Sequence, residues 1–117
     1  MEVQCKTVLY PVQDLDGATD LFGVLFGAGP HVESPYYVGF SVDGTEIGLI
    51  PAGADSDLTG PLPYFDVDDV QSTIAALAAA GATVVQEPTD VGGGLLVAKV
   101  VDRDANTIGL RQTPTVA

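Results

Sequence analysis

The chain has 117 residues, enough for one compact domain or two fused half-domains with a core that requires no disulfide or structural metal. Its 46% hydrophobic and 17% charged residues describe a folded globule, and no apolar run approaches the roughly 20 residues of a membrane span. Sixteen acidic residues against four basic ones give a net charge of −12, which repels phosphate backbones and argues against nucleic-acid binding.

In chain order, residues 4–12 (QCKTVLYPV) read as a strand, and Asp14 as the cap of a helix. Leu15, Ala18, Leu21, Phe22, Leu25 and Phe26 fall at helical spacing and predict its packed face. GAGP at 27–30 stops that helix, because glycine supplies a left-handed exit and proline prevents continuation. A short strand is expected around His31–Glu33. Strands at 36–42 and 45–50 follow, joined by Asp43-Gly44, a hairpin-turn signal.

PAGADSDLTGP (51–61) reads as a connecting loop. After it the order repeats: a strand at 62–67, then a helix capped by Asp68 with Gln71 three residues on, its apolar face Val70, Ile74, Leu77 and Ala78. Gly81 stops it, and strands at 82–88, 95–101 and 106–111 complete the second set, with VGGGLL (91–96) as a turn. DGTEIGLI (43–50) and DANTIGLR (104–111) share the frame Ile-Gly-Leu at an offset of 61 residues. The fold predicted is α+β, tandem βαβββ modules (1–52 and 61–117, linker about 52–61) forming a curved mixed sheet with a concave ligand cleft.

The order, with a strand running into Val-Gln-Asp-Leu-Asp (12–16) and the ending Val-Val-Asp-Arg-Asp-Ala-Asn-Thr-Ile-Gly-Leu (100–110), resembles the vicinal oxygen chelate superfamily. That group holds glyoxalase I, bleomycin-resistance proteins and extradiol dioxygenases. Arg103 and Ala105 stand where the family more often has proline and glycine. The resemblance implies four metal-ligand positions, one on the first and one on the last strand of each module, usually His, Gln or Glu. Carried over, they fall on Thr7, Gly48, Leu62 and Gly109. Glycine has no side chain and leucine no donor, so this set does not suit Zn, Ni, Fe or Mn, and no cofactor is expected. His31 with Glu46 and Asp66 is the one combination that would rebuild a displaced site.

Period-two alternation assigns Thr7, Leu9, Glu46, Gly48, Leu62, Tyr64, Asp66, Gly109 and Arg111 to the ligand face, with Tyr37 and Lys99 beside them. Val8, Tyr10, Val12, Phe65, Val67, Ile108 and Leu110 go to the helix-covered face. Glycines 39, 48 and 109 are expected to deepen the hollow. Tyr64, Tyr37, Glu46, Asp66, Arg111, Thr7 and Leu62 are therefore the candidate ligand-binding residues.

The expectation is a metal-free small-molecule-binding protein resembling the bleomycin-resistance branch, sequestering an antibiotic or metabolite that the negative charge suits to be cationic. The alternative is a metal-dependent lyase or dioxygenase of the glyoxalase type with a displaced site. The lone Cys5 fits a reducing compartment and no secretory signal is visible, so a cytoplasmic location is expected. The family further implies a homodimer.

Overall fold

The computed structural model describes residues 3–53 and 60–114. Much of the connecting loop expected over 51–61 lies outside the described residues. The element order is β1(Gln4–Val12), α1(Leu15–Phe26), β2(Val32–Glu33), β3(Val38–Val42), β4(Thr45–Pro51), β5(Leu62–Asp66), α2(Val70–Ala79), β6(Thr83–Asp90), β7(Leu96–Val101) and β8(Thr107–Gln112). This is βαβββ twice, an α+β fold as the sequence predicts. The chain forms two compact units, one spanning Lys6–Leu62 and the other built mainly from Pro63 onward.

In the first unit the strands run β2-β3-β4-β1. β1 and β4 are parallel, while β3 pairs antiparallel with both β2 and β4, so the sheet is mixed. The Asp14 carboxylate accepts from the Gly17 amide at 3.1 Å and fixes the start of α1. Gly27, at φ 68°, ends it, with its amide bonded to the Gly23 carbonyl. Val38, Phe40 and Leu49 form the buried centre, with Tyr10, Val12, Ile47, Leu15, Ala18, Phe22 and Phe26 packed on it. Tyr10, Phe22, Phe26 and Phe40 make a run of tilted ring contacts with centroids 5.1 to 5.7 Å apart.

Leu21 and Leu25, expected on that packed face, are instead 64% and 68% exposed. Leu15, Ala18, Phe22 and Phe26 already fill the arc of α1 that meets the sheet. A helix advances roughly 100° per residue, which carries Leu21 and Leu25 off that arc.

In the second unit the order is β5-β8-β7-β6, with β5 and β8 parallel and the other pairs antiparallel. Val67, Val70, Ile74, Ala98, Val100 and Leu110 are buried together, with Phe65, Leu77 and Ile108 against them. Ala78, expected on the packed face, is exposed.

Asp69, not Asp68, caps α2, accepting from the amides of Gln71 at 3.1 Å and Ser72 at 3.3 Å. Tertiary contacts set that start. Val70 is fully buried, and its amide donates to the Gln112 side-chain oxygen at 2.8 Å, which pins the first turn to the end of β8.

Strand parity follows the expected sorting. Tyr10, Val12, Phe65, Val67, Ile108 and Leu110 join the helix-covered cores, while Val8, expected with them, is half-buried and outside both clusters. Each sheet therefore turns its other face, with Gly48 or Gly109 at its middle, away from its helix.

Candidate functional site

In the first unit the register sets Thr7 beside Glu46 and Glu46 beside Ser41, and sets Leu9 beside Gly48 and Gly48 beside Gly39. Directly opposed residues share a face, so a row of three polar residues, Thr7, Glu46 and Ser41, neighbours a row of Leu9 and two glycines. Tyr37 precedes β3 in a tight turn: Ser34 Oγ accepts from the Tyr36 and Tyr37 amides at 3.2 and 3.1 Å. The turn aims the Tyr37 ring back across the glycines. A Cβ placed at Gly48 would lie 2.6 Å from Tyr37 Cε1, 2.8 Å from Tyr37 Oη and 2.7 Å from Leu9 Cδ2. One at Gly39 would lie 2.9 Å from Tyr37 Cε2. The glycines are needed because an aromatic ring is seated on bare backbone.

That finding revises the expected hollow. Removing side-chain bulk at Gly39 and Gly48 makes room for Tyr37, not for open space.

The Tyr37 phenol donates to Glu46 Oε2. Glu46 Oε1 meets His31 Nε2 at 2.6 Å. His31 immediately precedes β2 and is anchored by its own amide, which donates to the Gly39 carbonyl at 2.9 Å. One carboxylate thus holds a phenol on one oxygen and an imidazole on the other. Burial raises the Tyr37 pKa above its ordinary value, and the hydrogen bond to Glu46 and that carboxylate's charge raise it further. Tyr37 is accordingly a fixed hydrogen-bond donor, not a phenolate. The side chains of Glu46 and His31 remain 28% and 48% exposed, so a solute can reach the carboxylate.

The second unit repeats the device with different residues. Tyr64, Gly109 and Lys99 lie in one row across β5, β8 and β7, and Asp66, Arg111 and Val97 in the next. A Cβ at Gly109 would lie 2.5 to 2.8 Å from three atoms of the Tyr64 ring. Arg111 Nη1 stands 3.4 Å from Asp66 Oδ1, each side chain about one-quarter exposed. Tyr64, Asp66 and Arg111 are thus brought together on one face, and Tyr37 and Glu46 on another with Thr7 in the row of Glu46. Leu62, expected to line the ligand face, has no exposed surface and offers none to a ligand.

His31 was legible only as a displaced-site candidate. What identifies its contact with Glu46 is the hairpin register, since Val32 opposes Gly39 and Ser41 opposes Glu46.

The residues at the four family metal positions do not fit a divalent ion. At Gly48 and Gly109 the space a carboxylate would occupy is filled by the Tyr37 and Tyr64 rings, and Leu62 is a buried aliphatic. Among the described residues no three His, Cys, Asp or Glu side chains converge as a metal-binding group. Among the described residues, too, no helix is long and apolar enough to cross a membrane.

The family model of the Glyoxalase/Bleomycin resistance protein/Dioxygenase superfamily matches residues 4–110. No curated protein matches the chain. Several solved structures share its fold. A hypothetical protein from Bacillus halodurans C-125 is 10% identical with a TM-score of 0.76, covering 100% of this chain and 99% of its own. A glyoxalase/bleomycin resistance protein/dioxygenase superfamily member from Vibrio splendidus 12B01 is 16% identical, TM-score 0.72, with coverage of 96% and 98%. Streptomyces coelicolor methylmalonyl-CoA epimerase, in complex with 2-nitronate-propionyl-CoA, is 16% identical, TM-score 0.70, with coverage of 97% and 96%. At these identities the likeness is one of fold. With the family model spanning nearly the whole chain, the protein belongs to the glyoxalase/bleomycin resistance protein/dioxygenase superfamily.

Proposed function

We propose that this chain binds a small organic molecule on its tyrosine-bearing sheet faces without a divalent ion, in the manner of the superfamily's bleomycin-resistance branch. The observation that carries this reading is Tyr37 seated on Gly48, where a metal-binding carboxylate is expected, with its phenol held by Glu46. An aromatic wall beside a few oriented polar groups is what small-molecule sites are made of. The second unit offers the same combination in Tyr64, Asp66 and Arg111.

Glu46 gives the ligand its sign. A partly exposed carboxylate in a chain of net charge −12 favours an organic cation, both by steering and by direct ion pairing. The role that follows is sequestration of a cationic antibiotic or metabolite by a cytoplasmic homodimer.

Thermal denaturation against a panel of small organic amines, amidines and guanidines, in the presence of EDTA, tests the reading. At least one compound should raise Tm, and a ligand at about 100 times its Kd stabilises by roughly 2.7 kcal/mol. Glu46→Gln keeps the shape and removes the charge, and should weaken that compound about tenfold or more, since a charge-assisted hydrogen bond contributes about 1.5–3 kcal/mol. In a parallel series without EDTA, stabilisation by Zn, Ni or Mn salts alone, with no organic compound active in either series, would refute the proposal.

A further inference from the structure

The face that the second unit turns away from α2 carries a charge balance opposite to that of the chain. Two of its rows, Lys99–Gly109–Tyr64 and Val97–Arg111–Asp66, cross β7, β8 and β5. They hold two bases and one acid, in a chain whose acidic residues outnumber its basic ones sixteen to four. Half of the basic residues of the whole chain, Lys99 and Arg111, therefore stand on neighbouring strands of one face. In the first unit it is the carboxylate of Glu46 that gives the corresponding face its sign.

Lys99 opposes Gly109, and Arg111 lies two residues farther along β8, so the two bases are diagonal neighbours, roughly 7–8 Å apart. From there both side chains can reach one anionic group placed between them. Like charges this close repel, and an anion between them turns that cost into attraction. Asp66 meets Arg111 Nη1 at 3.4 Å, longer than the roughly 2.7–2.9 Å of a tight charged pair. Arg111 is one-quarter exposed and Lys99 is half-buried, so both border solvent. The row of Lys99 ends in Tyr64, whose ring is seated on Gly109 and offers an apolar surface beside the two bases.

We propose that this face binds a monoanionic organic carboxylate bearing a planar ring, with the carboxylate between Lys99 and Arg111 and the ring against Tyr64. The planar guanidinium of Arg111 matches a carboxylate, and the ammonium of Lys99 adds a point charge. Two bases less one acid leave a surplus of one positive charge in these rows, which suits a monoanion, and Asp66 opposes a dianion such as phosphate. The net charge of −12 does not prevent binding, because salt screens exposed charges beyond about 8 Å at physiological ionic strength. A bound group answers to the side chains beside it. This site is independent of a cation at Glu46.

Nitrogen–proton correlation NMR of the full chain, titrated with benzoate, phenylacetate and naphthoate, tests the proposal, with benzylamine and inorganic phosphate in parallel. At least one of the carboxylates should shift the amides of Gly109 and Arg111 saturably, and benzylamine and phosphate should not. Lys99→Gln and Arg111→Gln should each weaken that carboxylate about tenfold or more, as loss of a hydrogen bond to a charged group does. Lys6→Gln removes the same charge from an exposed position on β1 and should leave the affinity unchanged. Lys99→Gln decides the question even where loss of the Asp66 contact unfolds Arg111→Gln. No saturable shift with any of the three carboxylates overturns the proposal, as does a carboxylate held as tightly by Lys99→Gln as by the wild type. Phosphate binding more tightly than the carboxylates, or benzylamine shifting the same amides, gives the face to another class of ligand and overturns it too. A failure of amines to bind at Glu46 bears on the first unit and leaves this result standing.

Discussion

Tyr37 carries the argument at the scale of single residues. Its ring needs two glycines beneath it, and its phenol needs an acceptor that survives partial burial; Gly39, Gly48 and Glu46 supply these from two neighbouring strands. None of this is local in sequence. Gly48 looked like a missing ligand because the residue that fills its space lies eleven positions earlier, in a turn whose direction depends on Ser34. The donor chemistry of the family positions was readable from residue types alone, but the tyrosine occupants were not. Tyr37→Phe removes the donor to Glu46 and should cost about 1 kcal/mol of stability at neutral pH. It should also change the alkaline limb. The folded-state pKa of Tyr37 is raised, so its contribution is present below the unfolded value near 10 and is lost as pH rises from there toward the folded value. Above pH 10 the unfolded chain binds fewer protons than the folded one, and stability falls. Urea denaturation between pH 7 and 11 should show a shallower alkaline loss for Tyr37→Phe than for the wild type, and equal slopes would remove the phenol–Glu46 bond from the account.

At the scale of elements, caps and parity were legible and competition between neighbours was not. The alternation of Tyr10 and Val12, or Ile108 and Leu110, predicts the helix-covered faces because a sheet face has a strict period of two. A helix has no such strictness. Asp68 and Asp69 are equally good caps in sequence, and only the fully buried Val70 and its bond to Gln112 choose between them. The β7–β8 turn shows the same limit. Asp102 accepts from the amides of Asp104 at 2.9 Å and Asn106 at 2.8 Å and from the Asn106 side chain at 3.0 Å. The Asn106 and Asp104 bonds hold its carboxyl below the usual carboxylate range. They also force Ala105 to φ 67°, a left-handed conformation that glycine adopts without strain. The departure from the family's glycine is therefore a local cost. Ala105→Gly should raise stability by about 1 kcal/mol, read as a higher urea midpoint with an unchanged slope. A lower midpoint would mean that the turn is not strained.

For the molecule as a whole, the doubling of βαβββ was visible because caps, turns and the Ile-Gly-Leu frame recur in the same order. Superfamily membership follows from that doubling and from the family match over residues 4–110. Function does not follow from it, since one scaffold serves many chemistries and only the site distinguishes them. At this site two tyrosine rings stand over Gly48 and Gly109, two of the positions that the family resemblance assigns to metal ligands, and the acid at Glu46 is engaged by Tyr37 and His31. Native mass spectrometry of the freshly purified protein, with neither metal nor chelator added, puts this most directly to the test. The account predicts subunits without a bound transition metal, with an organic mass retained where a ligand co-purifies. One Zn, Ni, Fe or Mn per subunit would contradict it and return the protein to the metal-dependent branch of its superfamily.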